Sequence, residues 1–167
     1  MNYKEAKTKF IQAWGTMGAK WGINRAMAQI HALLLTASRP LSTEDIMDEL
    51  NISRGNANMN IRTLLDWGII EKEHKPGERK EFFTTKKDIW QLIRVIARER
   101  KKREIDPVVK LLDELEDFEG HSTKEEKELR KTLTEIKNYT STASELFEKV
   151  SRSDYGWFIK TIVKLIK

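Results

Sequence analysis

The chain has 167 residues, of which 39% are hydrophobic and 34% charged, with a net charge of +5 and no cysteine. That is apolar material for one domain, or one small domain with appended helices, and it excludes a disulfide scaffold, a thiolate metal site and a cysteine nucleophile. No stretch of about 20 apolar residues is available to span a membrane, and MNYKEAKTKF has no apolar signal-peptide core, so a cytoplasmic protein is expected.

Basicity sits in the middle of the chain. Lys and Arg number 12 against 10 Asp and Glu over residues 1–85, 8 against 3 over 86–104, and 11 against 13 over 105–167. Such a layout suits a polyanion on one side and a protein partner on the other.

In chain order, Tyr3, Ala6, Phe10, Ala13, Trp14, Met17 and Trp21 recur at helical spacing, and Gly15, Gly18 and Gly22 weaken the end of that helix. Asn24 suits an N-cap for a helix over 25–37 with Ile30, Leu33, Leu34 and Ala37 inward. Arg39-Pro40 ends it. Ser42, with Asp45 in the capping-box position, starts a helix over 42–50. A tight turn at 51–53 leads into a second helix over 54–67. Two β-runs, 68–73 and 81–85, flank a basic tip, HKPGERK, whose turn is nucleated by Pro76-Gly77.

A long helix over 86–104 follows, with Ile89, Leu92, Ile93, Ile96 and Ala97 on one side and a charge run, RERKKRE, at its end. Asp106-Pro107 reads as an N-cap with proline at the first helical position, restarting a helix whose apolar face is Val108, Leu111, Leu112, Leu115 and Phe118. Gly120 ends it. Ser122 with Glu125, or Thr123 with Glu126, makes the next capping box. Leu129, Leu133, Ile136, Thr140, Ala143, Phe147 and Val150 then alternate spacings of four and three, a coiled-coil-like seam. A last segment would bury Phe158, Ile159, Ile162, Val163 and Ile166.

The expected fold is mainly α: a winged helix-turn-helix with a small β-hairpin wing over 25–85, an N-terminal helix over 1–24, and a helical linker and dimerisation region over 86–167. The helices exceed what the winged helix alone can bury, so a two-fold homodimer is expected.

At about 100° per residue, the helix over 54–67 turns Ala57, Ile61, Leu64 and Leu65 to the core. Gly55, Asn56, Met59, Arg62 and Thr63 lie opposite, flanked by Asn58 and Asn60. Asn pairs with adenine and Arg with guanine, and an apolar side chain meets the thymine methyl. Gly55 beside Ser53 and Arg54 lets backbone at a helix start approach phosphate. No acid occurs from Asn51 to Leu65. With Lys75, Arg79 and Lys80 on the tip as backbone contacts, the expected DNA-contact set is Ser53, Arg54, Gly55, Asn56, Asn58, Met59, Asn60, Arg62, Thr63, Lys75, Arg79 and Lys80. The plain alternatives are a solvated helix face and an ordinary charged hairpin tip.

The run SRPLSTEDIMDELNISRGNANMNIRTLLDWGIIEKEHKPGERKEFFTT resembles the winged-helix core of MarR-type transcriptional regulators. Its SRGN start, LLDWGII transition and PGERKEFF wing are most similar to the GbsR-type branch. The resemblance implies a homodimer gripping a near-palindromic DNA duplex, with 54–67 in the major groove and Arg79 as a wing contact. The chain departs from relatives in carrying Asn56, Asn58 and Asn60 where they tend towards Ser and Thr. Some GbsR-type regulators respond to quaternary ammonium compounds such as choline. Aromatic faces hold such cations, which makes Trp14, Trp21, Trp67 and Trp90 candidate ligand residues beside their ordinary role in packing.

Catalysis is not expected. His31, His74 and His121 lie in separate elements without metal-ligand spacing, and neither a Gly-rich phosphate loop nor a nucleophile motif is present. No cofactor is expected. The leading expectation is a sequence-specific regulator binding double-stranded DNA, most simply a repressor. The competing readings are a winged helix used for protein–protein assembly and an architectural DNA binder without sequence preference.

Overall fold

The structure, a computed structural model, describes residues 1–116, 118–119 and 123–156. The expected apolar segment with Phe158 to Ile166, the stop at Gly120 and the Ser122 cap lie outside these residues. Packing divides the chain into two units, Met1–Asp88 and Ile89–Lys167.

In the first unit, Asn2 caps α1 (Tyr3–Lys20) through a capping box with Glu5. The buried stripe of α1 is Ile11, Gly15 and Gly18, not the aromatic face that the spacing suggests: Tyr3 is 75% and Trp21 56% exposed. The glycines explain the rotation. A Cβ on Gly18 would stand 2.6 Å from the Ala28 Cβ, and one on Gly15 would stand 2.6 Å from Gln29 Cγ. They are the contact surface on which α1 lies against α2, and the helix ends where expected, with Trp21 as C-cap and Gly22 at φ 75°.

Asn24 caps α2 (Arg25–Thr36), accepting from the Ala26 and Met27 N–H groups. Pro40 precedes β1 (Leu41–Ser42), a two-residue strand absent from the sequence reading. Ser42 and Asp45 close the expected capping box on α3 (Thr43–Leu50). Asn51 takes the left-handed conformation, φ 50°, which makes the turn short enough for Ser53 to cap α4 (Arg54–Asp66) at once. The chain continues through β2 (Ile70–Glu73) and β3 (Phe82–Thr85). The sheet order is β1-β3-β2, antiparallel throughout, with Leu41 opposite Phe83 and Glu73 opposite Phe82.

One core serves all these elements. Ile30 and Leu33 of α2, Ile46 of α3, Ala57, Ile61 and Leu64 of α4, Ile70 of β2 and Phe83 of β3 are each at most 3% exposed. At about 1.5–3 kcal/mol for a buried large apolar side chain, this contact outweighs every ion pair on the surface.

In the second unit, α5 (Ile89–Arg100) runs through a π-helical turn, Lys101–Ile105, into α6 (Asp106–Glu116). The expected restart at Asp106-Pro107 does not occur. Asp106 is helical, φ −58° and ψ −38°, and its N–H reaches the Lys101 carbonyl five residues back. The widened turn carries the helix past a proline that donates no hydrogen bond. Thr123 caps α7 (Lys124–Arg152), in the expected capping box with Glu126. α7 packs along α5, the π turn and α6 of its own chain. Leu133 is its buried anchor, while Leu129, Ile136, Tyr139 and Leu146 are exposed. No helix among the described residues is long and apolar enough to cross a membrane.

His31 is 4% exposed in the α2 core, its ring centroid 6.1 Å from that of Trp14. Burial lowers its pKa from 6.5 to about 4, so the folded state holds it neutral. An unfolded chain binds the proton between those values and the native one does not. Stability is therefore full above pH 6.5 and falls towards pH 4, by about 3 kcal/mol at most. Thermal melts of wild type and His31→Leu across pH 7 to 4 should show a steeper decline in the wild type; parallel curves would remove His31 as the cause.

Candidate nucleic-acid interface

The rotation of α4 decides what it presents. Ala57, Ile61 and Leu64 are buried, so Arg54, Gly55, Asn58, Met59 and Arg62 are exposed, with Asn56 and Thr63 half-buried beside them. Ser53 is exposed at the cap and accepts the Asn56 N–H at 3.3 Å. A Cβ on Gly55 would meet nothing within 4 Å, which leaves the start of the helix bare. Met59 is 58% exposed. Among the described residues, no acid forms an ion pair with Arg62 or Arg79 (compare Arg39, which is bound to Asp45 at 3.0 Å).

Asn60 departs from the expected set. It is 3% exposed, and its Nδ2 donates to the Asn56 carbonyl at 2.8 Å and to Asn56 Oδ1 at 2.7 Å. The helical wheel placed it on the flank of the outer arc, but the core contact of α4 is broad enough to cover that flank. A side chain so enclosed does not reach a base edge. Its role is to satisfy its own amide and hold Asn56.

The wing is a hairpin between β2 and β3. At its tip the Glu78 N–H donates to the Lys75 carbonyl at 3.1 Å, closing a turn with Gly77 at φ 82°, the geometry that Pro-Gly favours. Consecutive strand residues point to opposite faces, so Phe83 enters the core while Phe82 faces the other way. Lys75 covers Phe82, its Nζ 4.0 Å from the ring centroid. Lys75 is therefore half-occupied by packing, and Arg79 and Lys80 are the exposed cations of the tip. Lys72 pairs with Glu81 at 2.6 Å and Lys86 with Glu71 at 3.1 Å.

An acid that the sequence reading missed stands beside this surface. Glu44, in the first turn of α3, holds Arg54 at 2.9 Å and approaches Lys80 to 3.9 Å. Its own backbone N–H, then Arg54 and then Lys80 hold its carboxyl below the usual carboxylate range. The acid-free run from Asn51 to Leu65 is thus acid-free in sequence and not in space.

The remaining candidates are distributed. Trp14 stacks near Phe10, with ring centroids 5.4 Å apart, and near His31. Trp14 and Trp67 both pack against the core, and Trp21 is exposed. Trp90 belongs to the second unit, where its indole donates to the Ser153 carbonyl and meets Tyr155 edge-on. The basic run of the second unit is largely paired within itself: Arg103 with Glu99, Lys101 with Asp106 and Glu148. No cluster of His, Asp and Glu suited to a metal ion occurs among the described residues.

The helix pair α3 and α4, with α4 exposed on one arc, and a three-stranded sheet whose β2–β3 hairpin carries a basic tip define the architecture. The fold is a winged helix. Residues 21–81 match the MarR family, the segment from Trp21 to the end of the wing tip. The chain also superposes on the crystal structure of a transcriptional regulator with a TM-score of 0.58, at 21% sequence identity, covering 86% of this chain and 99% of that one. No curated protein matches the sequence.

The burial of Asn60 separates folding from surface chemistry. Asn60→Ala should cost about 1–2 kcal/mol in chemical denaturation, from a lost buried hydrogen-bonding group, whereas Arg62→Ala should stay within about 0.5 kcal/mol of wild type. Equal, negligible changes would put Asn60 back on the surface.

Proposed function

We propose that this chain is a transcriptional regulator that reads double-stranded DNA with α4 in the major groove and the wing on the flanking backbone. The observation that carries the reading is the exposed α4 arc of Arg54, Asn58, Met59 and Arg62, with half-buried Asn56 beside it, rooted in the core by Ala57, Ile61 and Leu64 and set on the same fold as Arg79 and Lys80. Asn and Arg are the side chains that make two hydrogen bonds to one base edge at once. A surface for protein assembly would present apolar side chains there, and Met59 stands alone.

The chain is proposed to act as a homodimer on a near-palindrome, with two α4 helices entering successive major grooves about 34 Å apart. Support comes from apolar surface left uncovered in each unit: Tyr3, Phe10 and Trp21 in the first, Val108, Leu111, Leu115, Leu129 and Ile136 in the second. Apolar side chains that recur on one helix face, as Val108, Leu111 and Leu115 do, suit a surface that meets a partner. Repression by occupying the operator is the simplest action for such a dimer, and the GbsR-type resemblance supports an effector of the quaternary ammonium class. Trp14 and Trp67 contribute to packing in the first unit, so Trp21 is the exposed tryptophan of that unit on which such an effector would have to act.

Fluorescence anisotropy on a labelled duplex from the chain's own upstream region, with a scrambled duplex as control at about 0.15 M salt, tests the reading. A preference of about 10³ or more is expected; equal affinity would favour an architectural binder, and no binding to either would favour an assembly module. Arg62→Ala should cost about 1–3 kcal/mol on the preferred duplex and relax its specificity. Arg79→Ala should weaken both duplexes alike and flatten the salt slope by about one. Gly55→Ala should leave the fold at least as stable, because alanine loses less backbone freedom than glycine in a helix, yet weaken DNA binding, because the added methyl stands where backbone meets phosphate. Unchanged affinity in Gly55→Ala would remove the close approach from the mechanism.

A further inference from the structure

We propose that Glu44 is a specificity-determining residue: an acid built into the DNA-facing surface that holds Arg54 and Lys80 and thereby penalises binding to unmatched DNA. The inference rests on the DNA-reading function proposed above and goes beyond it, since the contact arc and the wing predict affinity but assign no role to an acid.

The geometry is specific. Arg54 opens the reading helix and Lys80 closes the wing tip, and both reach the same carboxylate, at 2.9 and 3.9 Å. Glu44 is therefore the point at which three elements, α3, α4 and the wing, share charge. None of the three side chains is enclosed: relative exposures are 59% for Arg54, 60% for Lys80 and 38% for Glu44. Solvent-exposed ion pairs contribute little to folding, so stability gives a weak reason for an acid at this position.

For DNA the position matters more. A phosphate approaching Arg54 or Lys80 competes with Glu44 for both cations and is repelled by it. On unmatched DNA, where base contacts add nothing, that repulsion stands uncompensated. On a matched site the contacts of Arg62, Asn56 and Asn58 draw the helix in, and Arg54 and Lys80 move from the carboxylate to phosphate. An acid that lowers affinity for wrong sequences more than for the right one raises the ratio between them.

The test is Glu44→Gln, which keeps the shape and removes the charge, assayed in the full chain. Anisotropy on a random-sequence 30-bp duplex and on the duplex from the chain's own upstream region should show tighter binding to the random duplex. A gain of about fivefold is expected, the factor that one unit charge at contact distance is worth in water. The salt slope should steepen by about 0.9, one more phosphate neutralised. The gain on the own-sequence duplex should be smaller. In an Arg54→Ala, Lys80→Ala background the same substitution should gain less, because the cations it releases are gone. Glu44→Ala serves as the second variant should the glutamine chain fail to fold, and thermal melts of both should lie near wild type.

Unchanged or weaker binding of Glu44→Gln to random DNA would overturn the proposal while leaving the DNA-reading function standing. Equal gains on both duplexes would overturn the part of Glu44 in discrimination. A wild-type chain that binds neither duplex would instead remove the DNA-reading function, and this inference with it.

Discussion

The first unit depends on one contact: the stripe Ala57, Ile61 and Leu64 of α4 pressed into a core shared with α2, α3 and the sheet. Spaced by four and three residues, these side chains define a single line along the helix, and burying them fixes its rotation. Everything that α4 presents outward follows from that. The same core places the other two parts of the surface. Ile46, fully buried, lies two residues from Glu44; Phe83, 2% exposed, lies three residues from Lys80. Each polar residue of the candidate interface is thus carried on a short lever from an apolar anchor. Burial at about 1.5–3 kcal/mol per large side chain sets the geometry. Ion pairs at about 0–1 kcal/mol are arranged on a frame they do not determine.

Much of this frame was legible because its signals are local. Asn24, Ser42 and Ser53 accept backbone N–H groups within three residues, so the starts of α2, α3 and α4 are written beside the caps. The apolar stripe of α4 and the Pro76-Gly77 turn are local in the same sense. What was not legible depends on partners distant in sequence. β1 exists only because Leu41 and Ser42 meet Phe83 and Phe82, and two residues carry no periodicity of their own. The true face of α1 follows from Ala28 and Gln29 sitting where a Cβ on Gly18 or Gly15 would be; read alone, glycines look like helix weakness rather than contact. Asn60 is hidden for a related reason. A polar residue on a helix flank is expected in solvent, and only its bonds to Asn56 make its burial tolerable.

Two local signals gave way to their surroundings. Asp106-Pro107 has the form of a helix start, yet α7 packs along α5, the π turn and α6, and one wide turn keeps the helix running beside it. Glu44, in the first turn of α3, is favourable to the helix dipole, and the fold also brings it to Arg54, ten residues away. An acid-free run in sequence is a statement about one strip of a surface, and neighbouring elements complete the electrostatics.

That completion bears on the kind of binding such a surface supports. Residues 1–85 carry 12 Lys and Arg against 10 Asp and Glu, so the winged-helix unit is close to neutral. Glu71 and Glu81 neutralise cations at the wing, and Glu44 does so at the start of α4. Non-specific DNA affinity scales with the number of phosphates neutralised, and a unit with this balance can neutralise few. Any strong complex must then draw on contacts that depend on which bases are present. Near-neutrality with a few cations placed on rigid levers is the opposite of an architectural binder's design. Under the DNA-reading function proposed above, it would let discrimination, rather than attraction, govern where the protein resides on a genome-length polyanion.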